Sequence, residues 1–443
     1  MIKVGFISLG CSKNGVDTEV MLHKLVSAGY EITTEETEAD VVIVNTCGFI
    51  ESAKQESIDQ LLDVAWLKEN GNLKGLIATG CLAERYREQV MEEMPEVDAL
   101  VGVGSLDAIV DAVEAVLDGK RFCAFADKET APLGGDRVLT TPEYTAYLKI
   151  AEGCDNRCSY CAIPLIRGKM RSRTIEDIVD EAVELEKLGV KELNLIAQDT
   201  SRYGLDLYGE YSLPQLVQAI CKATNIPWIR LLYCYPDKIT DALIEEMATN
   251  PRLLPYMDIP VQHISDSVLA KMNRHGGTEI ILDAIERLRA RISGVTLRTT
   301  AIVGFPGETE EDFEALCRFV RETKFDRFGA FTYSPEEDTP AALFPDQIDE
   351  QTKQDRYDIL MRTQLEVSEA LQQSKVGQTL LVLCEGFDPV DKIHVGRSAA
   401  DAPDVDGKVF FHSKKRIAPG SFVEVSVTEA LDYDLVGEFV RLA

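Results

Sequence analysis

Apolar positions between residues 1 and about 125 come in short runs, KVGFISLG, DVVIVNT, LKGLIATG and VDALVGVGS. Stretches of helical spacing part them, such as Thr18–Ala28 and the segment from Glu51. Buried runs this short, alternating with helices, predict a parallel α/β sheet. Periodicity is then lost over Lys128–Tyr144, where Pro132, Gly134, Gly135 and Pro142 mark a linker. From Tyr147 the strand candidates YLKIA, ELNLIAQ, WIRLLYC, MDIPVQ, TLRTTAIVG and RFGAFTYS alternate with amphipathic helices such as TIEDIVDEAVELEKLG. Six βα units fall short of the eight that close a full barrel, so an open, partial (β/α)6 barrel is expected. A helical connector follows at Gln347–Gln373. From Val376 short β-prone runs (TLLVLCEG, KIHVGR, KVFFH, SFVEVSV, LVGEFV) predict a small antiparallel β-barrel. The expected units are residues 1–125, 140–373 and 374–443.

Composition narrows this picture in two ways. At 443 residues, 45% hydrophobic and 27% charged, the chain suits about three globular domains, each with its own core. A net charge of -29 opposes any broad affinity for nucleic acid or anionic membrane, although a local basic patch is compatible with it. No apolar stretch nears the roughly 20 residues of a membrane span. MIKVGFISLGCSKN turns polar after one short run, which does not read as a signal peptide. Eleven Cys without an export signal suit a reducing cytoplasm, where cysteine clusters bind metals more often than they form disulfides.

Candidate chemistry concentrates in those cysteines. EGCDNRCSYCAIP places Cys154, Cys158 and Cys161 in a C-x3-C-x2-C spacing after the first barrel strand. A structural zinc site wants four ligands, so three thiols make a poor one. Around a [4Fe–4S] cluster, three thiols leave one iron open to a non-protein ligand. Cys11, Cys47 and Cys81 form a second set, each directly after an apolar strand candidate (FISLG, VVIVNT, LIATG). The C-terminal strand ends of an open parallel sheet share one edge, so these thiols could converge. Gly10, Thr46 and Gly80 just before them leave the approach uncrowded. Cys123, Cys221, Cys234, Cys317 and Cys384 lack any such placement and read as core or incidental thiols. The five His are scattered, without ligand spacing.

The C-x3-C-x2-C loop, with aromatic Tyr160 before its last Cys, resembles the radical S-adenosylmethionine (SAM) superfamily. That resemblance implies that SAM chelates the open iron and is cleaved to a 5'-deoxyadenosyl radical. With the strand-end cysteines and the C-terminal barrel, the whole chain resembles the methylthiotransferases: a three-Cys domain, a radical SAM barrel and a TRAM domain. The resemblance implies two [4Fe–4S] clusters, held by Cys154, Cys158 and Cys161 and by Cys11, Cys47 and Cys81, with SAM as both methyl and radical source. A radical is needed because no general base reaches the pKa of an unactivated C–H bond.

Other residues carry weaker signals. Gln198, in IAQDT, stands where the family contacts the SAM amino group; a loop cap is the competing reading. AIVGFPGE, with Gly304 and Gly307, would let backbone approach an adenosyl group, or is an ordinary strand-to-helix turn. Arg167, Lys169, Arg171 and Arg173 would hold the SAM carboxylate or an acidic substrate side chain, or form a solvated helix entry.

SLGCSKNGVDTE, FTYSPEEDTPAA and GRSAADAPDVDG resemble the branch acting on an aspartate of small-subunit ribosomal protein twelve. Ser12 and Asn156 depart from it, where Pro and His are common. The alternatives are a tRNA adenosine methylthiotransferase and, outside enzymes, an iron–sulfur scaffold or electron carrier. The ribosomal-protein branch implies a basic protein partner, with tRNA and membrane not expected, and a flavodoxin-type electron donor. Residues Leu371–Ala443 hold 8 Lys plus Arg against 11 Asp plus Glu, and 8 − 11 is −3. The acids of DAPDVDG (Asp401, Asp404, Asp406) read as an exposed docking loop for that partner, with Lys414, Lys415 and Arg416 as a rival contact for phosphate.

Overall fold

Strands Glu31–Thr33, Lys3–Ser8, Val41–Thr46, Gly75–Gly80, Ala99–Val101 and Phe122–Ala124 lie in that order in one sheet of the computed structural model, which describes residues 1–443. Every pairing is parallel. The central pair Val41–Thr46 and Gly75–Gly80 is buried throughout, as continuous apolar runs require when helices cover both faces. The helix expected at Thr18–Ala28 begins earlier, at Ser12, and runs to Ser27. Lys13, Asn14 and Asp17 lie inside its first two turns and are buried, so a polar stretch concealed the helix start.

A second all-parallel sheet takes its strands in chain order: Thr145–Lys149, Glu192–Ile196, Trp228–Leu231, Leu253–Asp258, Thr296–Val303 and Arg327–Thr332. It never closes. Leu193, Leu195, Ile229 and Leu231 join the largest apolar core, under the helices. The opposite face bears Glu192, Arg230, Asp258 and Arg298, charged positions that a barrel interior must neutralise. The helix expected at Gln347–Gln373 is Glu350–Gln373, with Asp349 accepting from the backbone N–H of Thr352 at its start.

The C-terminal strands Thr379–Asp388, Ile393–Ser398, Val409–His412, Leu435–Leu442 and Phe422–Ala430 close into a five-stranded barrel, antiparallel except where Val409–His412 runs parallel to Leu435–Leu442. The barrel packs on the charged face of the open sheet. Fully buried Arg397 and Arg230 both donate to Glu192, at 2.5 and 3.1 Å. Arg327 pairs with Asp401, and the Tyr256 hydroxyl donates to Asp406 at 2.5 Å. The expected docking loop is therefore corrected: Asp401 is buried and the Asp406 carboxylate is covered in the domain interface, and only Asp404 of the three faces solvent. A buried carboxylate and a solvated one look alike in sequence, and only the arginines arriving from another domain separate them.

Two further latches tie the N-terminal domain to the open barrel. Arg85 donates to Glu336 at 2.9 Å. The linker, though without helix or strand from Phe125 to Tyr144, is pinned by Arg137, which pairs with Glu19 at 2.9 Å and Glu181 at 2.8 Å. No helix is long and apolar enough to cross a membrane.

Candidate active site

The cysteine loop of the open barrel leaves strand Thr145–Lys149 and is sewn down locally. Cys154 N–H donates to Gly168 O (3.1 Å), Cys161 N–H to Cys158 O (3.1 Å) and Ser159 N–H to Met272 O (3.0 Å). Around the thiols stand residues that the motif did not reveal. Asn156 donates to Cys154 Sγ (3.5 Å) and to Asp199 (2.8 Å), while its own oxygen accepts from Lys238 (3.1 Å). The Tyr235 hydroxyl lies 3.4 Å from Cys158 Sγ. The Arg274 guanidinium stacks 4.4 Å from the Tyr235 ring and donates to the Tyr160 hydroxyl at 3.4 Å. Tyr160 also meets Phe305 edge-on at 6.5 Å, so it braces the loop from its apolar side.

Burial pushes the Cys154 thiol up to about 11 and raises Cys161 as well. Such thiols stay protonated near neutrality until a metal centre supplies positive charge and displaces the protons. No three His, Cys, Asp or Glu side chains converge as ligands of one ion would. Three thiols on one loop suit a four-iron cluster with one open iron better than a closed four-ligand zinc site.

Cys11, Cys47 and Cys81 are brought to one edge of the N-terminal sheet by its strand order. Cys11 caps the helix Ser12–Ser27, and Cys81 opens the helix Cys81–Glu93. Helix N-termini favour negative charge, which suits thiolates and an anionic cluster. Asn14 binds the set together: its amide donates to Leu9 O and Thr46 O, both at 3.0 Å, and its oxygen lies 3.7 Å from Cys81 Sγ. Cys11 is exposed, Cys47 half-buried and Cys81 buried. Burial raises Cys47, and it carries Cys81 up to about 12 against the pull of Arg167. The remaining thiols sit apart, Cys234 and Cys384 each inside an apolar core.

Three buried polar atoms lack a protein partner at C-terminal ends of barrel strands: Gln198 Oε1, Gln262 Oε1 and the Tyr333 hydroxyl. Unmatched acceptors and a hydroxyl around a barrel mouth are what a polar cofactor such as SAM would satisfy. Gln198 is further held by its amide, which donates to Glu152 at 2.6 Å, so its free oxygen is pre-set. The Gly304 turn is different. A Cβ there would lie 2.3 Å from Lys353 Cγ, and the backbone has a φ of +73°. Gly304 thus makes room for the connector helix, a packing reason for glycine there that its sequence context did not show. The basic run is corrected. Arg167 and Arg173 are buried and paired inside the protein, Arg171 donates to Ala131 O and Lys128 O, and only Lys169 is exposed.

One cleft joins the domains. It holds about 510 Å³ and is lined by Cys11 and Ser12 of the N-terminal domain, Tyr233, Asp258 and Arg298 of the barrel, and Asp404 of the C-terminal domain. Tyr233 faces the cleft, while Tyr235, two residues on, touches Cys158. Lys13, next to Cys11, lies 3.7 Å over the Tyr233 ring.

An open parallel βα barrel with a three-thiol loop at its first strand end defines a radical SAM protein. Comparisons agree: the Radical SAM superfamily matches residues 148–320, the TRAM domain 376–440, and the uncharacterized protein family UPF0004 residues 3–102. The ribosomal protein uS12 methylthiotransferase RimO of Lachnoclostridium phytofermentans is 49% identical over 98% of this chain and 99% of its own length. That of Desulforamulus reducens is 50% identical over the whole of both chains. The chain belongs to the RimO family of methylthiotransferases. In fold it is similar to the radical SAM methyltransferase TsrM of Kitasatospora setae, with a TM-score of 0.57 at 13% identity over 86% of this chain and 77% of the other.

Proposed function

We propose that the chain adds a methylthio group to the β-carbon of an aspartate of ribosomal protein uS12, in the cytoplasm. It would use SAM, two [4Fe–4S] clusters and electrons from a flavodoxin-type reductant. When bound, these groups supply the hydrogen-abstracting radical, the methyl group and the sulfur. Cys154, Cys158 and Cys161 would hold one cluster, and Cys11, Cys47 and Cys81 the other. Gln198 Oε1 would accept from the SAM amino group, and Tyr160 with Arg274 would keep the cysteine loop in place.

The observation that carries this reading is the shared cleft. Cys11 forms one wall, and the segment from Leu232 to Tyr235 separates the cavity from Cys158. A side chain entering there meets Cys11 directly, with the loop thiols behind the Leu232–Tyr235 segment. The charges suit a protein segment. Arg298, held by Asp258 at 2.8 Å, faces the cleft and matches a target carboxylate. Asp404 at the rim matches Lys or Arg flanking that target, whereas an acidic rim repels tRNA phosphates. The C-terminal domain thus contributes the wall residues Asp404 and Val405, while Asp401 and Asp406 stay in the interface.

The test is to incubate reconstituted protein with SAM, sulfide and a reductant, offering uS12 and tRNA in parallel, and to analyse both by mass spectrometry. A methylthio adduct on a uS12 aspartate is expected. An adduct on tRNA alone, or 5'-deoxyadenosine with no adduct on either, overturns the proposal.

A further inference from the structure

Arg167 is 3% exposed and makes four polar contacts, three of which cross a domain boundary. It ends the short helix Ile163–Arg167, six residues beyond Cys161. One terminal nitrogen donates to Asp17 at 2.6 Å and to Glu152 at 3.2 Å. The other donates to the Asn14 side-chain oxygen at 2.6 Å and to Cys81 Sγ at 3.3 Å. Asp17, Asn14 and Cys81 belong to the N-terminal domain, and Glu152 belongs to the barrel.

Lys149 completes the cluster of charges, donating to Asp17 at 2.6 Å and to Glu152 at 2.9 Å. Two cations therefore face two carboxylates, all buried. Burial alone would raise Glu152, yet Lys149 and Arg167 hold it well below the usual carboxylate range. A charge set of this kind is costly to form with a poor fit, so it admits one register of the two domains. Only a planar guanidinium supplies two forked donors to reach Asp17 and Glu152 on one side and Asn14 and Cys81 on the other.

We infer that Arg167 is a positioning residue that couples the two cysteine sites: it locks the N-terminal thiols to the helix that follows Cys161 and donates a hydrogen bond to the sulfur of Cys81. This rests on the reading of two clusters. The lock matters because a radical formed at one site and sulfur held at the other must meet at a single substrate carbon. The hydrogen bond matters because donors to a ligating sulfur stabilise the more negative, reduced cluster and raise its reduction potential. Glu152 extends the link, since its other oxygen accepts from Gln198, the residue set toward the cofactor mouth.

The experiment uses the full chain in two backgrounds. In protein with Cys154, Cys158 and Cys161 replaced by Ala, only the N-terminal cluster remains, and its midpoint potential is read by potentiometric EPR titration. Arg167→Met is expected to move that potential in the negative direction, with Arg167→Lys in between. In the otherwise intact enzyme, Arg167→Met is expected to raise the ratio of 5'-deoxyadenosine to methylthio product about tenfold, the scale of lost outer-shell contacts.

Removing the guanidinium also leaves two carboxylates against Lys149 alone, so the double variant Asp17→Asn with Arg167→Met is measured alongside to keep the charge balanced. An unchanged potential together with an unchanged product ratio in folded Arg167→Met or the double variant overturns the inference. Failure of the underlying reading looks different: the Cys154, Cys158 and Cys161 variant would then bind no cluster at all.

Discussion

The two three-cysteine sites reach the same stoichiometry by opposite routes. Cys154, Cys158 and Cys161 lie within eight positions on one loop, held by Gly168 just beyond it and by barrel residues such as Met272 and Tyr235. Cys11, Cys47 and Cys81 come from three separate strand ends and meet only because the sheet places those strands side by side. The loop site is a property of a short segment; the strand-end site is a property of a whole domain. Damage to the first should stay local, whereas the second should respond to changes far from any thiol.

Exchanging cysteines tests the contrast most severely. Replacing Cys154, Cys158 and Cys161 with Ala should abolish SAM cleavage and remove about half the iron, read by chromatography and iron assay. Full iron content, or continued 5'-deoxyadenosine, would contradict the assignment. Replacing Cys11, Cys47 and Cys81 should leave cleavage running while the methylthio product disappears. Loss of cleavage in a soluble, folded protein would show that the sites are not separable.

The third wall of the cleft comes next. Asp401→Asn leaves buried Arg327 without its carboxylate and should cost about 3–5 kcal/mol, lowering the thermal midpoint without a salt-dependent effect on uS12 affinity. Asp404→Asn, at the exposed rim, should change stability by less than about 0.5 kcal/mol while weakening uS12 binding in a salt-sensitive way. Equal effects from the two would break the distinction drawn here between interface and rim.

A smaller change separates the thiol sites through the backbone alone. Gly80 has a φ of +90°, and a Cβ there would lie 2.2 Å from Asn45 Oδ1 and 2.5 Å from Thr46 O. Gly80→Ala should cost roughly 2–3 kcal/mol and lower iron loading at the strand-end site, leaving the loop cluster's EPR signal intact.

The most local effect concerns pH and the barrel by itself. Burial pushes Glu308 from 4.5 up to about 7, against the pull of Arg356 and two backbone N–H donors. Between those values the folded protein holds a proton that the unfolded chain has lost, so stability falls as pH rises from about 4.5 to 7. Glu308→Gln should flatten that slope, worth about 2 kcal/mol, in thermal unfolding followed from pH 5 to 8. An unchanged slope would place the titration elsewhere.

Much of this molecule was legible before folding. The runs DVVIVNT and LKGLIATG end in the strands Val41–Thr46 and Gly75–Gly80, because about four consecutive apolar residues leave a strand no exposed face. What stayed hidden involves charge. Arg137, Arg167, Asp401 and Asp406 are polar letters in stretches that read as linker, basic run or acidic loop, yet each is buried against a partner from another part of the chain. Gly304 was recognisable as a turn glycine, but the side chain it accommodates, Lys353, lies on a helix 49 positions away (353 − 304).

By itself the sequence determined the cysteine loop of the barrel, since its three thiols fall within eight positions and need only a turn to converge. It also determined the succession of two parallel sheets and a small barrel, through hydrophobic period alone. Only the tertiary structure decided that Cys11, Cys47 and Cys81 share one edge, that Arg167 binds one thiol set to the other, and that Asp401 points inward while Asp404 does not. Period and spacing act over a few residues, whereas the neutralisation of a buried charge depends on which distant segment packs against it.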